Sequence, residues 1–163
     1  MVKEAYNIGK LGQRIAFKAK EGTITITETH GIGGNRIEPK LSAPIKKGDK
    51  LTIAGDMLVT KASTGDVIIG EAFSNPLDFK ISPTKDYTQA QAVTADMLRE
   101  VTVETIFKKI VWVTVKNGES ISAGDYLEYG STDINEFEEA DSTSDIIALT
   151  AVDSDNEVVA GFI

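Results

Sequence analysis

With 163 residues the chain is long enough for one domain with a sizeable core, and its 41% hydrophobic and 26% charged residues are ordinary for a globular protein. The lack of cysteine excludes disulfides, thiolate catalysis and cysteine metal sites, and a single histidine leaves no zinc constellation. A formal charge of −8 argues against nucleic acid as a partner, and no apolar run approaches the length of a membrane span.

Charge is distributed unevenly along the chain. Residues 1–20 have a net charge of +4, and their basic side chains are Lys3, Lys10, Arg14, Lys18 and Lys20. Residues 117–163 contain twelve acidic side chains and no Lys or Arg. We interpret residues 1–20 as a basic N-terminal arm on a single β-rich domain, residues 21–163. This asymmetry favours head-to-tail contact between copies or contact of the arm with an acidic neighbour; the alternative is two solvated faces.

Strand signals dominate the chain after the arm. Residues 23–27, Thr-Ile-Thr-Ile-Thr, alternate strictly between polar and apolar, which predicts a half-buried strand. Further strands are predicted, in chain order, at 50–53, 57–60, 67–69, 77–81, 109–115, 145–151 and 158–163. The run at 109–115 is the most apolar, so we expect both of its faces to be buried, with Trp112 in the core. Short strands with one long connection indicate an all-β fold, a sandwich or a barrel of antiparallel strands.

One segment departs from the strand pattern. Thr88 and Gln91 have the spacing of a capping box, and Ala90, Val93 and Met97 follow at helical spacing. These features predict one short helix near 88–98. The alternative for this segment is an irregular crossover between strands.

The pattern Ala-Gly-Asp-x-Leu occurs twice, at 54–58 and at 123–127, each time beside an apolar run. Glycine adopts a positive φ that other residues resist, and aspartate accepts hydrogen bonds from the nearby backbone. We therefore predict structural turns in two related β units, spanning about 45–81 and 106–163. The turn residues are Gly55, Asp56, Gly124 and Asp125. A weaker third Gly-Asp pair lies at 48–49.

No catalytic constellation emerges from the sequence. His30 lies in a glycine-rich segment like the oxyanion loop of some esterases, but the chain has no Gly-x-Ser-x-Gly elbow. Phosphate-binding motifs are incomplete. Residues 153–157 begin like a calcium-binding loop but lack the glycine at its sixth position, and acidic loops such as 131–144 are usually solvated. We expect no enzymatic activity, no cofactor and no metal, although cation binding by 131–144 stays open.

The turns and the apolar runs after them resemble a known family. The first Gly-Asp turn, a short gap and the run Val-Ile-Ile-Gly-Glu-Ala at 67–72 are similar to the small β-rich capsid decoration, or cement, proteins of tailed bacteriophages. The pattern recurs from 115 through 121–125 to 146–151, where the glycine is missing. The resemblance covers about 45–163 and leaves residues 1–44 outside it.

The resemblance implies a non-enzymatic structural protein on the outer surface of an assembled phage capsid. Its partner would be the major capsid protein, which it stabilises, often as a homotrimer. We expect synthesis in the host cytoplasm, because residues 1–7 lack the apolar segment of a signal peptide, and a final location on the virion exterior. Within the arm, the residues expected to face the capsid are Lys3, Lys10, Arg14 and Lys18.

Two other functions remain open at this point. A glycan- or host-surface-binding module would use exposed aromatic residues in loops near Tyr126 and Tyr129. A head or tail fibre component could be built from the same strands and turns.

Overall fold

A computed structural model describes residues 12–31, 34–77, 90–92 and 98–163 of the chain. These residues contain no helix and form thirteen β-strands, which confirms the predicted all-β class. In chain order the strands are β1 (Arg14–Ala19), β2 (Thr23–Gly31), β3 (Gly34–Leu41), β4 (Lys50–Gly55), β5 (Leu58–Lys61), β6 (Gly70–Ala72), β7 (Ala90–Ala92), β8 (Arg99–Thr105), β9 (Lys109–Thr114), β10 (Leu127–Tyr129), β11 (Phe137–Glu139), β12 (Ile146–Ala148) and β13 (Glu157–Phe162).

Five strands close into a barrel in the order β1-β5-β4-β6-β8, which we call barrel 1. β1 runs parallel to β5, with Ala19 opposite Val59, and the other neighbouring strands are antiparallel. Because side chains alternate across a strand, every second one points inward. The interior is filled by apolar side chains that are almost fully buried, among them Phe17, Ala19, Leu51, Val59, Val101 and Val103.

The second half of the chain repeats this strand order. β9 pairs with β13, β13 with β12, and β10 with β11, all antiparallel. Two bridges complete the circle: Tyr126 pairs with Ile147 of β12, and Val115 pairs in parallel with Phe137 of β11. The order β9-β11-β10-β12-β13, with its one parallel contact, is that of barrel 1. We call this unit barrel 2.

Backbone hydrogen bonds at the Gly-Asp turns are equivalent in the two barrels. In both barrels a Gly-Asp turn is tied by two backbone hydrogen bonds to an alanine at the end of the fourth strand of the unit. In barrel 1 the Gly48 N–H donates to Ala72 C=O (2.8 Å), and the Ala72 N–H donates to Asp49 C=O (2.9 Å). In barrel 2 the Gly124 N–H donates to Ala148 C=O (2.7 Å), and the Ala148 N–H donates to Asp125 C=O (2.8 Å). The chain therefore contains two units with one strand order; the first is a closed barrel, and in the second a two-stranded and a three-stranded sheet are joined by single bridges.

Barrel 1 is longer because it carries two insertions. The first, between β1 and β4, contains the hairpin β2–β3, in which Ile24 lies opposite Leu41. The second, between β6 and β8, contributes β7, in which Gln91 lies opposite Ile24. Together the insertions form a sheet of order β3-β2-β7.

The helix predicted near 88–98 is wrong over Ala90–Ala92, which form β7; residues 88–89 and 93–97 lie outside the described part of the chain. The capping-box spacing that favoured a helix is a local signal. The backbone groups of Thr23–Thr25 instead find their partners in residues 90–92, so that pairing across the sheet outweighs local preference.

The basic arm predicted at 1–20 is wrong for its second half. Arg14–Ala19 form β1, which pairs with β8 along its whole length, and Lys20 N–H donates to Val59 C=O at 2.7 Å. Phe17 and Ala19 point into the barrel, while the basic residues of β1, Arg14 and Lys18, point outward. Residues 1–11, with Lys3 and Lys10, lie outside the described part of the chain.

Two strand predictions also need correction. β9 is not buried on both faces, because Trp112 is 61% exposed, and only the side chains on the opposite face reach the interior of barrel 2. The strand expected at 67–69 lies slightly later, as β6, and residues 78–81 of the strand expected at 77–81 are outside the described part.

Barrel 2 packs against barrel 1 through one outward surface. Face A of barrel 2 consists of five residues that join or contact the apolar cluster of barrel 1: Ile110, Tyr126, Ile147, Leu149 and Val159. The surface of barrel 1 next to it, face B, consists of Ile53, Asp56, Met57, Ile106 and Phe107. Met57 N–H donates to Leu149 C=O at 3.0 Å, and Ala151 N–H donates to the Asp56 carboxylate at 2.7 Å.

Candidate functional surfaces

The predicted turn residues Gly124 and Asp125 lie in a tight turn. Gly124 has φ +100°, a left-handed value that favours glycine. The Asp125 carboxylate accepts the Ser122 N–H at 2.7 Å, and the Asp125 N–H donates to Ser122 C=O at 3.1 Å. These contacts are satisfied within the turn, so its geometry serves the fold.

The same turn occurs at two further positions. Residues 46–49 and 63–66 each have a glycine of positive φ followed by an aspartate whose carboxylate accepts the N–H three residues earlier, at 2.8 and 2.7 Å. Burial by itself raises the pKa of Asp49, but the Lys46 N–H and the Lys61 ammonium, 3.2 Å away, more than offset it and hold that pKa below its ordinary value. The Gly-Asp pair at 48–49 was predicted only as a weak third copy, and the pair at 65–66 was not predicted as a turn.

The predicted turn at Gly55 and Asp56 has a different geometry. Gly55 is nearly extended, with φ 159°, and the left-handed residue is Met57, with φ 48°. The Asp56 carboxylate binds the backbone of Ala151 in barrel 2. Asp56 therefore links the two barrels.

Of the four residues expected to face a capsid, two are described. Arg14 and Lys18 both point outward from β1 and are exposed. The Arg14 guanidinium contacts the Glu104 carboxylate at 3.3 Å and lies 4.0 Å from the centroid of the Phe73 ring. Lys3 and Lys10 lie outside the described residues.

An open acidic cleft of about 540 Å³ lies on barrel 2. Its charged lining residues are Glu119, Glu128, Glu138, Glu139 and Asp141. Lys116 lies 3.0 Å from Glu138 and 4.0 Å from Glu119. The Lys116 ammonium, with the N–H and hydroxyl of Ser131, holds the pKa of Glu138 below its ordinary value, and Glu138 in turn raises the pKa of Lys116.

The other acidic segments of barrel 2 use carboxylates to accept hydrogen bonds from their own chain. Asp133 accepts the backbone and side-chain N–H groups of Asn135 at 2.9 and 3.0 Å. Asp153 accepts the N–H groups of Asp155 and Glu157, both at 2.9 Å, in the segment that resembled a calcium loop. Among the residues that the structure describes, no three acidic or histidine side chains are grouped as metal ligands.

The two tyrosines considered for adhesion have different surroundings. Tyr126 is partly buried between the barrels. Tyr129 is 56% exposed, and its ring lies 4.8 Å from that of Phe137. Only Tyr129 is therefore available for contact with another molecule.

A buried ion pair joins the bases of the two insertions, and the sequence analysis did not find it. Glu21 is 1% exposed and accepts two hydrogen bonds from Arg99, at 2.6 and 2.8 Å, and one from Ile45 N–H at 2.8 Å. Glu21 follows β1 and Arg99 begins β8, so their 78-residue separation gave no local signal.

Comparisons with protein-family models, curated proteins and solved structures found no match to this chain. Within the described residues, no helix has the length and apolar character needed to cross a membrane.

Proposed function

We propose that this protein is a non-enzymatic structural component of a virion that binds the outside of an assembled phage capsid and stabilises it. The observation that carries the proposal is the duplicated barrel whose Gly-Asp turns lie within the pattern that resembles capsid decoration proteins. The interiors of both barrels are filled by buried apolar side chains. Binding would therefore use outer surfaces, as an extended contact with a capsid does.

The partner would be the major capsid protein, and the basic residues before and on β1 are the proposed contact. Lys18 is exposed on the outer face of β1. Lys3 and Lys10 precede β1 and add positive charge to the same end of the chain. Arg14 is held by Glu104 and Phe73, so we expect it to contribute less than Lys18.

Co-sedimentation with purified empty heads tests the proposal. The full chain is expected to co-sediment and to raise the temperature at which the heads disrupt. Deletion of residues 1–11, or Lys18→Glu, is expected to reduce occupancy by tenfold or more, whereas Lys47→Glu, a charge reversal at an exposed lysine outside β1, is a matched control. Unchanged occupancy in the deletion and in Lys18→Glu would exclude this contact, and no binding of the full chain would exclude the function.

A glycan- or host-surface-binding module is the second candidate, favoured by the exposed ring of Tyr129. Aromatic rings supply apolar contact area for such ligands. A glycan array probed with the full chain and with Tyr129→Ala would show hits that the variant loses. An array without hits would leave no support for this candidate.

A further inference from the structure

Barrel 1 carries its own counterpart of face A on its outer surface. Lys50 pairs with Glu71 as Tyr126 pairs with Ile147 in barrel 2. In the same way the Phe73 N–H donates to Thr102 C=O at 2.9 Å, and the Leu149 N–H donates to Val159 C=O at 2.7 Å. Arg14 lies five residues before Ala19, which pairs in parallel with Val59 in barrel 1. Ile110 likewise lies five residues before Val115, which pairs in parallel with Phe137 in barrel 2. The counterparts, which we call free face A, are therefore Arg14, Lys50, Glu71, Phe73 and Thr102.

Four of the five side chains of free face A contact one another in pairs, and the surface reaches solvent. Arg14 lies over the Phe73 ring and pairs with Glu104, and Lys50 forms an ion pair with Glu71. Phe73 is 41% exposed. The surface is thus an exposed aromatic ring set among fixed charges, where barrel 2 has an apolar surface buried against barrel 1.

Barrel 2 likewise carries a counterpart of face B. Tyr129 lies opposite Phe137 as Ile53 lies opposite Val59. Ile163 N–H donates to Asp145 C=O and Ile106 N–H donates to Ile69 C=O, both at 2.8 Å. The loop between β10 and β11, with Ile134, replaces the Asp56 turn. We call Tyr129, Ile134 and Ile163 free face B; they are 56%, 73% and 41% exposed.

We propose that copies of this chain associate head to tail, with free face B of barrel 2 in one copy receiving free face A of barrel 1 in the next. Within the chain, face A of barrel 2 already meets face B of barrel 1, so the two free faces lie where the same arrangement can repeat. A second copy is the occupant that presents a surface at the equivalent position, although free face A is charged where face A is apolar. Contacts of this heterologous kind close into rings or extend into filaments.

Charge favours the head-to-tail arrangement over contact between like surfaces. Residues 109–163 carry two basic and twelve acidic side chains, and residues 1–108 carry fifteen basic and thirteen acidic ones. Two copies meeting through barrel 2 alone would bring like charges together. Head-to-tail contact instead places barrel 2 against the part of the chain with a slight positive excess.

The contact between copies is weaker than the contact within the chain. Free face A has Arg14, Lys50 and Thr102 at the positions of Ile110, Tyr126 and Val159, so less apolar area is buried when it docks. Association should therefore depend on protein concentration and weaken as salt is added. The inference concerns the isolated protein and stands whether or not the chain binds a capsid.

Sedimentation velocity of the full chain over a wide concentration range tests the inference. Wild type is expected to form dimers and larger species as concentration rises, and Phe73→Glu and Tyr129→Glu are each expected to stay monomeric. Trp112→Glu is the matched control, because Trp112 is exposed but belongs to neither free face, and it should associate like wild type. Thermal unfolding verifies that all three variants are folded.

Mixing the two monomeric variants separates head-to-tail from like-to-like contact. Phe73→Glu keeps free face B and Tyr129→Glu keeps free face A, so an equimolar mixture is expected to form dimers and nothing larger. The inference is overturned if wild type stays monomeric throughout, if either variant alone associates like wild type, if the mixture stays monomeric, or if Trp112→Glu is equally disrupted. Association without capsid binding would overturn the proposed function and leave this inference standing.

Discussion

At the scale of single residues, the Gly-Asp turns are positions where backbone geometry dictates the amino acid. Gly48, Gly65 and Gly124 all have φ between 88° and 100°. The following aspartate accepts an N–H within the same turn in each case. Three of the four Gly-Asp pairs in the sequence therefore form the same turn.

Replacing the turn glycines with alanine is expected to cost about 1–2 kcal/mol of unfolding free energy each, because a Cβ disfavours the left-handed conformation. Space is not the cause: a Cβ at Gly48 would meet nothing within 4 Å, and one at Gly124 would lie 3.7 Å from Ile53. Urea unfolding of Gly48→Ala and Gly124→Ala measures the cost. Ser122→Ala, in the same turn, is the control and should lie within about 0.5 kcal/mol of wild type; equal stability of all variants would refute the account of the turns.

The buried Glu21–Arg99 pair should be far more sensitive than the exposed ion pairs. Arg99→Met is expected to lower the unfolding free energy by about 3–5 kcal/mol, because Glu21 loses the cation that compensates its buried charge. Arg14→Met removes the more exposed partner of Glu104 and should cost about 1 kcal/mol or less. Equal losses in urea unfolding of the two variants would contradict the burial of Glu21.

Two turns with the same Gly-Asp sequence differ in backbone geometry, and the amino-acid types alone did not predict the difference. Gly55-Asp56 and Gly124-Asp125 both follow alanine and precede x-Leu, yet only the second is the recurrent turn. Gly55-Asp56 ends β4 and contacts Ala151, so its geometry depends on a partner distant in the sequence. The counterpart of Gly124-Asp125 in barrel 1 is Gly48-Asp49.

At the scale of elements, an ion pair between Glu138 of β11 and Lys116 joins the β10–β11 hairpin to the segment after β9. The Lys116 ammonium lowers the pKa of Glu138, so ionised Glu138 stabilises the folded state above its ordinary pKa. That stabilisation is lost as the pH falls through the lowered pKa of the folded protein. The raised pKa of Lys116 adds a contribution that is present below its ordinary pKa and lost as the pH rises through the folded value.

Melting temperature as a function of pH tests this pair. Glu138→Gln should lower the melting temperature by a constant amount from pH 7 down to about 5, and the difference from wild type should shrink as the pH falls further, through the lowered pKa at which Glu138 of the folded protein becomes protonated. Glu139→Gln, a neighbour for which no ion pair is seen among the described residues, is the control and should follow wild type. If the difference in melting temperature between Glu138→Gln and wild type persists at the lowest pH, the ionised pair is excluded as its cause.

Six of the thirteen described strands overlap a strand predicted from alternation and turn chemistry, among them Thr23–Gly31 and Lys50–Gly55. The elements whose local sequence signal was ambiguous could not be predicted as strands. Residues 90–92 carry a helix-start signal but pair with β2, and Arg14–Ala19 alternate correctly although their charge resembles that of an arm. In both cases long-range pairing, which a local pattern does not contain, determines the structure.

At the scale of the whole molecule, the two barrels are held together by a buried apolar contact. Leu149 is fully buried in the barrel 1 cluster although it belongs to barrel 2. Leu149→Ala is therefore expected to cost about 2–5 kcal/mol of unfolding free energy, as other buried leucines do. Leu77→Ala, at an exposed leucine, should change stability by less than about 0.5 kcal/mol. Similar small losses in both variants would show that the barrels do not pack through face A.

The repeat could be recognised from sequence, but its limits could not. The units predicted at 45–81 and 106–163 omit β1 and β8 from barrel 1, because the insertions separate these strands from β4–β6. Faces A and B could not be predicted from the sequence either, because their residues come from strands that meet only in the folded barrels. The repeated turn revealed the duplication, and the strand pairing shows where each copy begins and ends.

Amide hydrogen exchange at four backbone positions tests the duplicated barrel most directly. Gly48, Ala72, Gly124 and Ala148 donate the equivalent hydrogen bonds that tie each Gly-Asp turn to its barrel. All four amides are expected to be protected by comparable factors in the native protein, because both copies are closed by the same bonds. Protection of Gly48 and Ala72 alongside rapid exchange of Gly124 and Ala148 would contradict the account.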